Sequence, residues 1–234
     1  GAGYIGSHVV RELSAAGVPV CVYDNLCTGV RAFVPDEVAF VEADLLDTGA
    51  LRAALVENSV TGVIHIAGFK FAGLSVEQPI HTYQQNVTAM MSLLEAMNAE
   101  GVQKIVFSSS SSVYGNAASG LVEEDHPFNP TSPYGESKVI GEWLLRNQRV
   151  ATGLVHTSLR YFNVVGSGDP RLPDVSPYNL FSMVFAGLEE NRRPVIFGGD
   201  YETPDGTCIR DYIHVSDLAA AHVSAAQRMD RAEP

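Results

Sequence analysis

The chain has 234 residues, 46% hydrophobic and 18% charged, an ordinary globular composition with material for one large domain, or one domain and part of a second. A net charge of −12 argues against a basic face for nucleic acid or anionic lipid, and no apolar run approaches the ~18 residues of a membrane span. Cys21, Cys27 and Cys208 are an odd count without C-x-x-C spacing, which excludes a disulfide framework or zinc site and suits a reducing cytoplasm.

In chain order, Gly1-Ala2-Gly3-Tyr4-Ile5-Gly6 is a G-x-G-x-x-G loop that opens a helix over 5–16. Such a loop is aimed by a preceding strand, so the chain reads as a fragment lacking its first strand. A strand over 18–24 ends in Asp24, eighteen residues after Gly6. Glycines let a backbone approach a pyrophosphate, and a helix N-terminus offers it free N–H groups. An acidic residue closing the next strand accepts bonds from an adenosine ribose and favours NAD over NADP. A strand over 38–43 leads to Asp44, which either meets an adenine edge or caps a helix near 48–57.

Further strands are expected at 60–66, 103–109 and 155–162, and helices at 82–100, 133–150, 176–189 and 216–228. The alternation indicates an α/β fold with a parallel sheet. From about 166 the texture becomes loop-like, with a short strand at 194–198 and a turn-rich stretch at 199–207. We read 1–166 as the NAD-binding domain and 167–234 as a partial substrate lobe interleaved with the end of the sheet domain. The serine run 108–112 follows an apolar strand, where open α/β sheets bind ligands.

The most informative spacing is Ser132-Pro133-Tyr134-Gly135-Glu136-Ser137-Lys138. Ser132 fits a helix cap and Pro133 the first turn, so Tyr134 and Lys138 share one face. A cation near a phenol lowers its pKa from about 10, which makes the pair an acid–base device for a substrate hydroxyl. Ser110 ends the 103–109 strand and can share a substrate oxygen with that phenol. His65, His81, His156, His214 and His222 are scattered without metal-ligand spacing, and His65 reads as an interior residue. Arg210, beside Asp211 and Tyr212, is either a surface ion pair or a phosphate ligand.

Seven ordered blocks carry a resemblance: GAGYIGSH (1–8), YDNLCTG (23–29), HIAGFK (65–70), FSSSSSVYG (107–115), SPYGESK (132–138), LRYFNVVG (159–166) and DGTCIRDYIHVSDLA (205–219). With them the chain resembles the extended short-chain dehydrogenase/reductase family, in its branch of NAD-dependent nucleotide-sugar epimerases and dehydratases. The resemblance implies a Rossmann-type doubly wound sheet with part of a smaller C-terminal substrate lobe. It implies Tyr134 as base, Lys138 as its ribose-binding partner and Ser110 as the bridge to the sugar hydroxyl. Matching cofactor positions are Tyr4, Ile5, Asn25, Leu26, Cys27, Thr28, Gly29, Asp44, Leu45, Ile66, Ala67, Gly68, Phe69, Lys70, Asn86 and Phe162. Matching nucleotide-sugar positions are Asn163, Asn179, Leu180, Phe197, Arg210 and Tyr212.

The reaction so implied is inversion at C4 of a UDP-hexose, glucose to galactose, with tightly held NAD and no metal. A homodimer through helices matching 82–100 and 133–150 is implied as well. Two rivals are a 4,6-dehydratase and a non-catalytic NAD-sensing module. The first resembles a site with an Asp-Glu pair after the catalytic hydroxyl, where this chain has Ser111 and Ser112. The second has no use for Ser110, Tyr134 and Lys138 together. Departures from the family pattern are Gly73-Leu74-Ser75, where Gly-Glu-Ser is common, and the Val-Thr-Ala-Met that follows Asn86.

Overall fold

Strands that are apolar on both faces need helices on both sides. The computed structural model describes residues 1–116, 120–196 and 198–231 and builds that arrangement. Its elements run α1 (Tyr4–Ala15), β1 (Cys21–Asp24), β2 (Ala39–Glu42), α2 (Thr48–Glu57), β3 (Val63–His65), α3 (Ala72–Glu77), α4 (Pro79–Tyr83), α5 (Ala89–Ala99), β4 (Lys104–Ser108), α6 (Pro133–Thr152), β5 (Val155–Leu159), β6 (Asn163–Val165), α7 (Leu180–Glu189), β7 (Tyr212–His214) and α8 (Val215–Arg231). All strand pairs are parallel: β1 with β2, β3 with β4 and β4 with β5, and β6 with β7. Among the described residues these remain three separate sheets, and β1 and β3 are not hydrogen-bonded to each other.

Alternation along β4 defines the layers. Ile105 and Phe107 enter a cluster with Leu51 and Leu55 of α2, Met90 and Met97 of α5, and Leu145 of α6. Val106 points the other way, onto Ala225 and Met229 of α8. On that second face Val9 and Leu13 of α1 meet Ala219 and Val223 of α8. The sheet centre is thus dry on both sides, and functional groups emerge at the carboxyl ends of its strands.

Several boundaries differ from expectation for local reasons. The 82–100 helix is instead α4, a π-helical segment Gln84–Thr88 and α5, because Pro79 opens a turn early and the wider π turn carries Asn86 inward. The 155–162 strand stops at Leu159, where Arg160 turns its guanidinium to Glu142 and Tyr114, and Asn163–Val165 pairs with β7 instead. The 176–189 helix starts at Leu180 because Asp174 accepts from the Ser176 N–H and the Asn179 amide, holding both outside the helix. No strand forms at the described residues within 194–198, where Pro194 cannot donate to a ladder. α2 is capped by Asp47, not Asp44. α6 begins as read, with Ser132 accepting from the Gly135 N–H and Pro133 in the first turn.

Leu145 is fully buried in the main cluster while Val150, on the same helix, is 86% exposed. Leu145→Ala should cost about 2–5 kcal/mol in urea unfolding, and Val150→Ala should stay within about 0.5 kcal/mol. Equal effects would refute this placement of α6.

Candidate active site

Helix α6 and strand β4 bring the predicted trio together. Tyr134 and Lys138 lie one turn apart, and the Lys138 Nζ sits 5.7 Å from the Tyr134 ring centroid and 5.0 Å from that of Phe107. The ammonium donates to the Ser108 carbonyl at 2.9 Å. Ser110, just past β4, lies beside the Tyr134 phenol and favours its ionised form. Its hydroxyl also meets the Ser112 hydroxyl and accepts from the Ser112 N–H, both at 3.1 Å, which fixes its orientation.

Burial governs the electrostatics. It pushes the Lys138 ammonium down to about 8. It also raises the Tyr134 phenol, with Ser110 pulling the other way. The expected lowering of the phenol by Lys138 is not what dominates here: without a ligand, desolvation wins and the phenol stays protonated at neutral pH. His65, stacked on Phe107 with centroids 5.7 Å apart, is lowered to about 3 by burial and then by the Lys138 charge, and so is a neutral interior residue.

The 66–70 stretch closes over this group. Gly68 has φ +153°, and a Cβ there would lie 2.8 Å from the Asn86 Oδ1 and 3.9 Å from the Lys138 Nζ, so glycine is required for both conformation and space. Asn86 was expected to touch cofactor. Its side chain accepts from the Phe69 N–H at 2.7 Å and donates to the Phe69 carbonyl and the Ser137 hydroxyl, each at 2.9 Å. It acts as a strut between the loop and α6. Lys70 is exposed at the loop's edge, and partial desolvation lowers its pKa against the nearby Asp174 charge.

The glycine loop meets the requirements of a dinucleotide. Gly3 caps α1 without a side-chain bond, no acidic residue occupies the first turn, and a Cβ on Gly3 would meet nothing within 4 Å. That leaves the positive helix end facing open space, as a pyrophosphate needs. Gly6 is tight instead, since a Cβ there would lie 2.6 Å from the Gly1 carbonyl oxygen. Asp24 accepts from the Gly1 nitrogen, the Ala2 N–H and the Leu26 N–H at 2.8–2.9 Å. Burial pushes this carboxyl up, and the Ala2 and Leu26 N–H groups pull it the other way. Asp44 accepts from the Asn25 amide at 2.8 Å and the Leu46 N–H at 2.9 Å, tying the two strand ends into one rim. Cys27 is exposed on that rim, its N–H bonded to the Asn25 side chain.

The sugar-side positions are more open. Asn163 donates to the Asp211 carbonyl, Arg210 to the Ile209 carbonyl, and Tyr212 packs edge-on against Phe181 at 5.7 Å. Asn179 caps the start of α7 with its amide on Asp174, and Leu180 is exposed. Phe197 lies outside the described residues. Phe162 lines a cavity of about 640 Å³ with Arg160, Tyr161 and Tyr212, and that cavity contains none of Ser110, Tyr134 and Lys138.

Sequence reasoning missed three supports. Ser75 is fully buried, and its hydroxyl receives the Tyr134 N–H at 3.1 Å. Glu142, a further turn along from Lys138, is buried and bonded to Ser109 and Arg160. The spacing 134–138–142 was the available signal for it. His222 reaches Ser108 from α8. No spacing in the sequence announces that contact.

These features define a dinucleotide-dependent acid–base site on a Rossmann-type sheet. The whole chain, residues 1–234, matches the NAD dependent epimerase/dehydratase family, and the protein belongs to it. It is 44% identical to the UDP-glucose 4-epimerase of Azospirillum brasilense over 99% of this chain and 68% of that protein. With the UDP-glucose 4-epimerase of Lacticaseibacillus casei it shares 41% identity over 98% of this chain and 71% of the other. The crystal structure of UDP-glucose 4-epimerase from Brucella ovis in complex with NAD superposes with TM-score 0.93 at 40% identity, over 98% of this chain and 72% of that one.

The buried ammonium has a stability signature. Lys138 is lowered from 10.5 to about 8. Between those values the unfolded chain binds the extra proton, so stability rises with pH. Relative to Lys138→Met, the wild type should gain up to ~3 kcal/mol between about pH 8 and pH 10. Urea unfolding at both ends of that window measures it, and a constant difference would contradict the burial argument.

Proposed function

We propose that this chain carries the active site for NAD-dependent interconversion of UDP-glucose and UDP-galactose by transient oxidation at C4. The observation that carries the reading is Ser110, Tyr134 and Lys138 converging at the end of β4 in a fold that also presents an uncapped glycine-rich helix N-terminus. The names and bound NAD of the relatives supply the substrate class.

NAD, when bound, supplies a reversible hydride acceptor for the sugar C4. The chain's own residues do the rest. Tyr134 takes the 4-hydroxyl proton and later returns it, and the Ser110 hydroxyl holds the same oxygen. Lys138 keeps two N–H bonds beyond the one on Ser108, enough to hold a ribose and to stabilise phenolate. The α1 N-terminus and the Asp24–Asp44 rim bind the dinucleotide, while Asn163, Asn179, Leu180, Arg210 and Tyr212 form the nucleotide-sugar side, to which the sequence resemblance adds Phe197. Ser111 and Ser112 stand where a dehydratase would carry its acid pair, which favours epimerisation over 4,6-elimination.

We assign 1–166 to NAD binding and 167–234 to part of the substrate lobe, with α8 returning to the sheet. Met91 and Trp143, exposed on α5 and α6, are consistent with a homodimer through those helices. Among the described residues no helix is long and apolar enough to cross a membrane, and the three free cysteines suit the cytoplasm.

Incubation with UDP-galactose should yield UDP-glucose, and Tyr134→Phe should retain NAD while losing roughly 10²–10⁴-fold in kcat. Near-normal turnover in that variant would exclude Tyr134 as the base. Asp24→Ala should narrow the preference for NAD over NADP, read from paired affinities. An unaltered ratio would remove Asp24 from cofactor selection.

A further inference from the structure

We propose that His222, on the opposite face of the sheet from Tyr134, is a positioning residue for this reaction: through Ser108 it fixes the carbonyl that seats the Lys138 ammonium. The proposal rests on the reading above. It starts from the alternation along β4, where Phe107 faces α6 and the Ser108 side chain faces α8. The Ser108 carbonyl accepts from the Lys138 Nζ of α6 at 2.9 Å, while its hydroxyl lies 2.7 Å from the His222 Nε2 of α8. One residue at the end of the central strand therefore touches both helical layers.

The proton positions follow from the partners. The His222 Nδ1 lies 2.8 Å from the Leu218 carbonyl, which can only accept, so Nδ1 carries the hydrogen. Nε2 is then an acceptor, and the Ser108 hydroxyl donates to it. Tyr161 stands beside this pair, its ring edge-on to that of His222 with centroids 6.0 Å apart. The relay runs from Ser108 to His222 to Leu218, with every member neutral. His222 is fully buried and Ser108 is 1% exposed, so water cannot replace a lost partner without opening the site. A satisfied histidine that merely filled the core would not need to meet the strand residue that holds the catalytic ammonium.

Several groups face Lys138. Tyr134 belongs to its own helix, His65 to β3, Phe107 and Ser108 to β4, and the backbone at Gly68 to the closing loop. Tyr161 is coupled electrostatically to Tyr134 and is held protonated by burial. Of these, Ser108 and Tyr161 touch His222 directly, and the charged and titratable groups on the Lys138 side of the sheet do not. Loosening Ser108 would admit water to the ammonium and relieve its desolvation, so its pKa would rise.

The test uses the NAD-loaded enzyme for kinetics and the NAD-free protein for a ¹³Cε lysine titration of Lys138 by NMR. His222→Leu removes both bonds, His222→Gln keeps an acceptor near the Nε2 position, and Ser108→Ala deletes the hydroxyl but keeps the carbonyl. The leucine variant should lower kcat roughly tenfold, the equivalent of one hydrogen bond, with KM within about twofold. The alkaline limb of its kcat profile and the Lys138 titration should both move up by about one pH unit. Glutamine should restore most of each. Ser108→Ala should reproduce the leucine phenotype, and the double variant should be no worse than either single, because both cut the same link. If His222→Leu does not fold, Ser108→Ala against the wild type decides. An unmoved Lys138 titration and pH limb in the folded variants would overturn the proposal, even where stability falls. Because that titration needs neither cofactor nor turnover, its outcome is independent of whether the proposed epimerisation is correct.

Discussion

Seating one ammonium in a dry site is the constraint around which the rest of this structure is arranged. Lys138 is 5% exposed, and burial alone would drive off its proton near pH 8. What holds it is a backbone carbonyl at the end of the central strand, with two aromatic rings alongside. A carbonyl offers a partner without neutralising the charge, so the ammonium keeps N–H groups free for a ligand. A carboxylate in that place would have satisfied the cation more fully and left it unable to serve a phenol. The nearest buried carboxylate, Glu142, is taken by Arg160 and Ser109 instead.

The helices deliver the remaining parts to that point. Ser132, Pro133 and the buried Ser75 fix where α6 begins, and so where Tyr134 stands. The π turn carrying Asn86 braces the 66–70 loop against Ser137 on the same helix. On the far side of the sheet, α1 leaves its N-terminus without a side-chain cap, as a pyrophosphate site requires. The mobile chemistry, proton and hydride, is thus surrounded by groups whose positions are set by backbone and by uncharged side chains, an arrangement that costs little reorganisation during reaction.

Local signals in the sequence were legible where one residue type has one physical job. The Ser132–Pro133 start of α6, the glycine loop and the Tyr134–Lys138 spacing each specify geometry over a few residues, and the structure brings Ser110, Tyr134 and Lys138 together. What escaped was non-local. Nothing near Asn86 in the chain indicates that its amide would be consumed by Phe69 and Ser137, since those partners are set by how the loop folds back. The break after Leu159 was hidden because the β-prone residues of 155–162 continue through Tyr161 and Phe162, and only the Arg160–Glu142 pair, formed across two elements, ends the strand. The direction of the Tyr134 shift was misjudged for a similar reason: the cation was visible in the spacing, but the depth of burial was not.

The central claim is that burial keeps Tyr134 protonated at neutral pH in the NAD-free protein and that ligand binding must offset that desolvation before the phenol can act as a base. Ultraviolet difference titration of wild type against Tyr134→Phe measures the phenolate directly, with and without NAD. The account predicts ionisation above the ordinary value of about 10 in the NAD-free protein, moving to markedly lower pH when the cationic nicotinamide is bound. A phenolate already present at pH 7 without NAD, or a midpoint that NAD does not move, would contradict it.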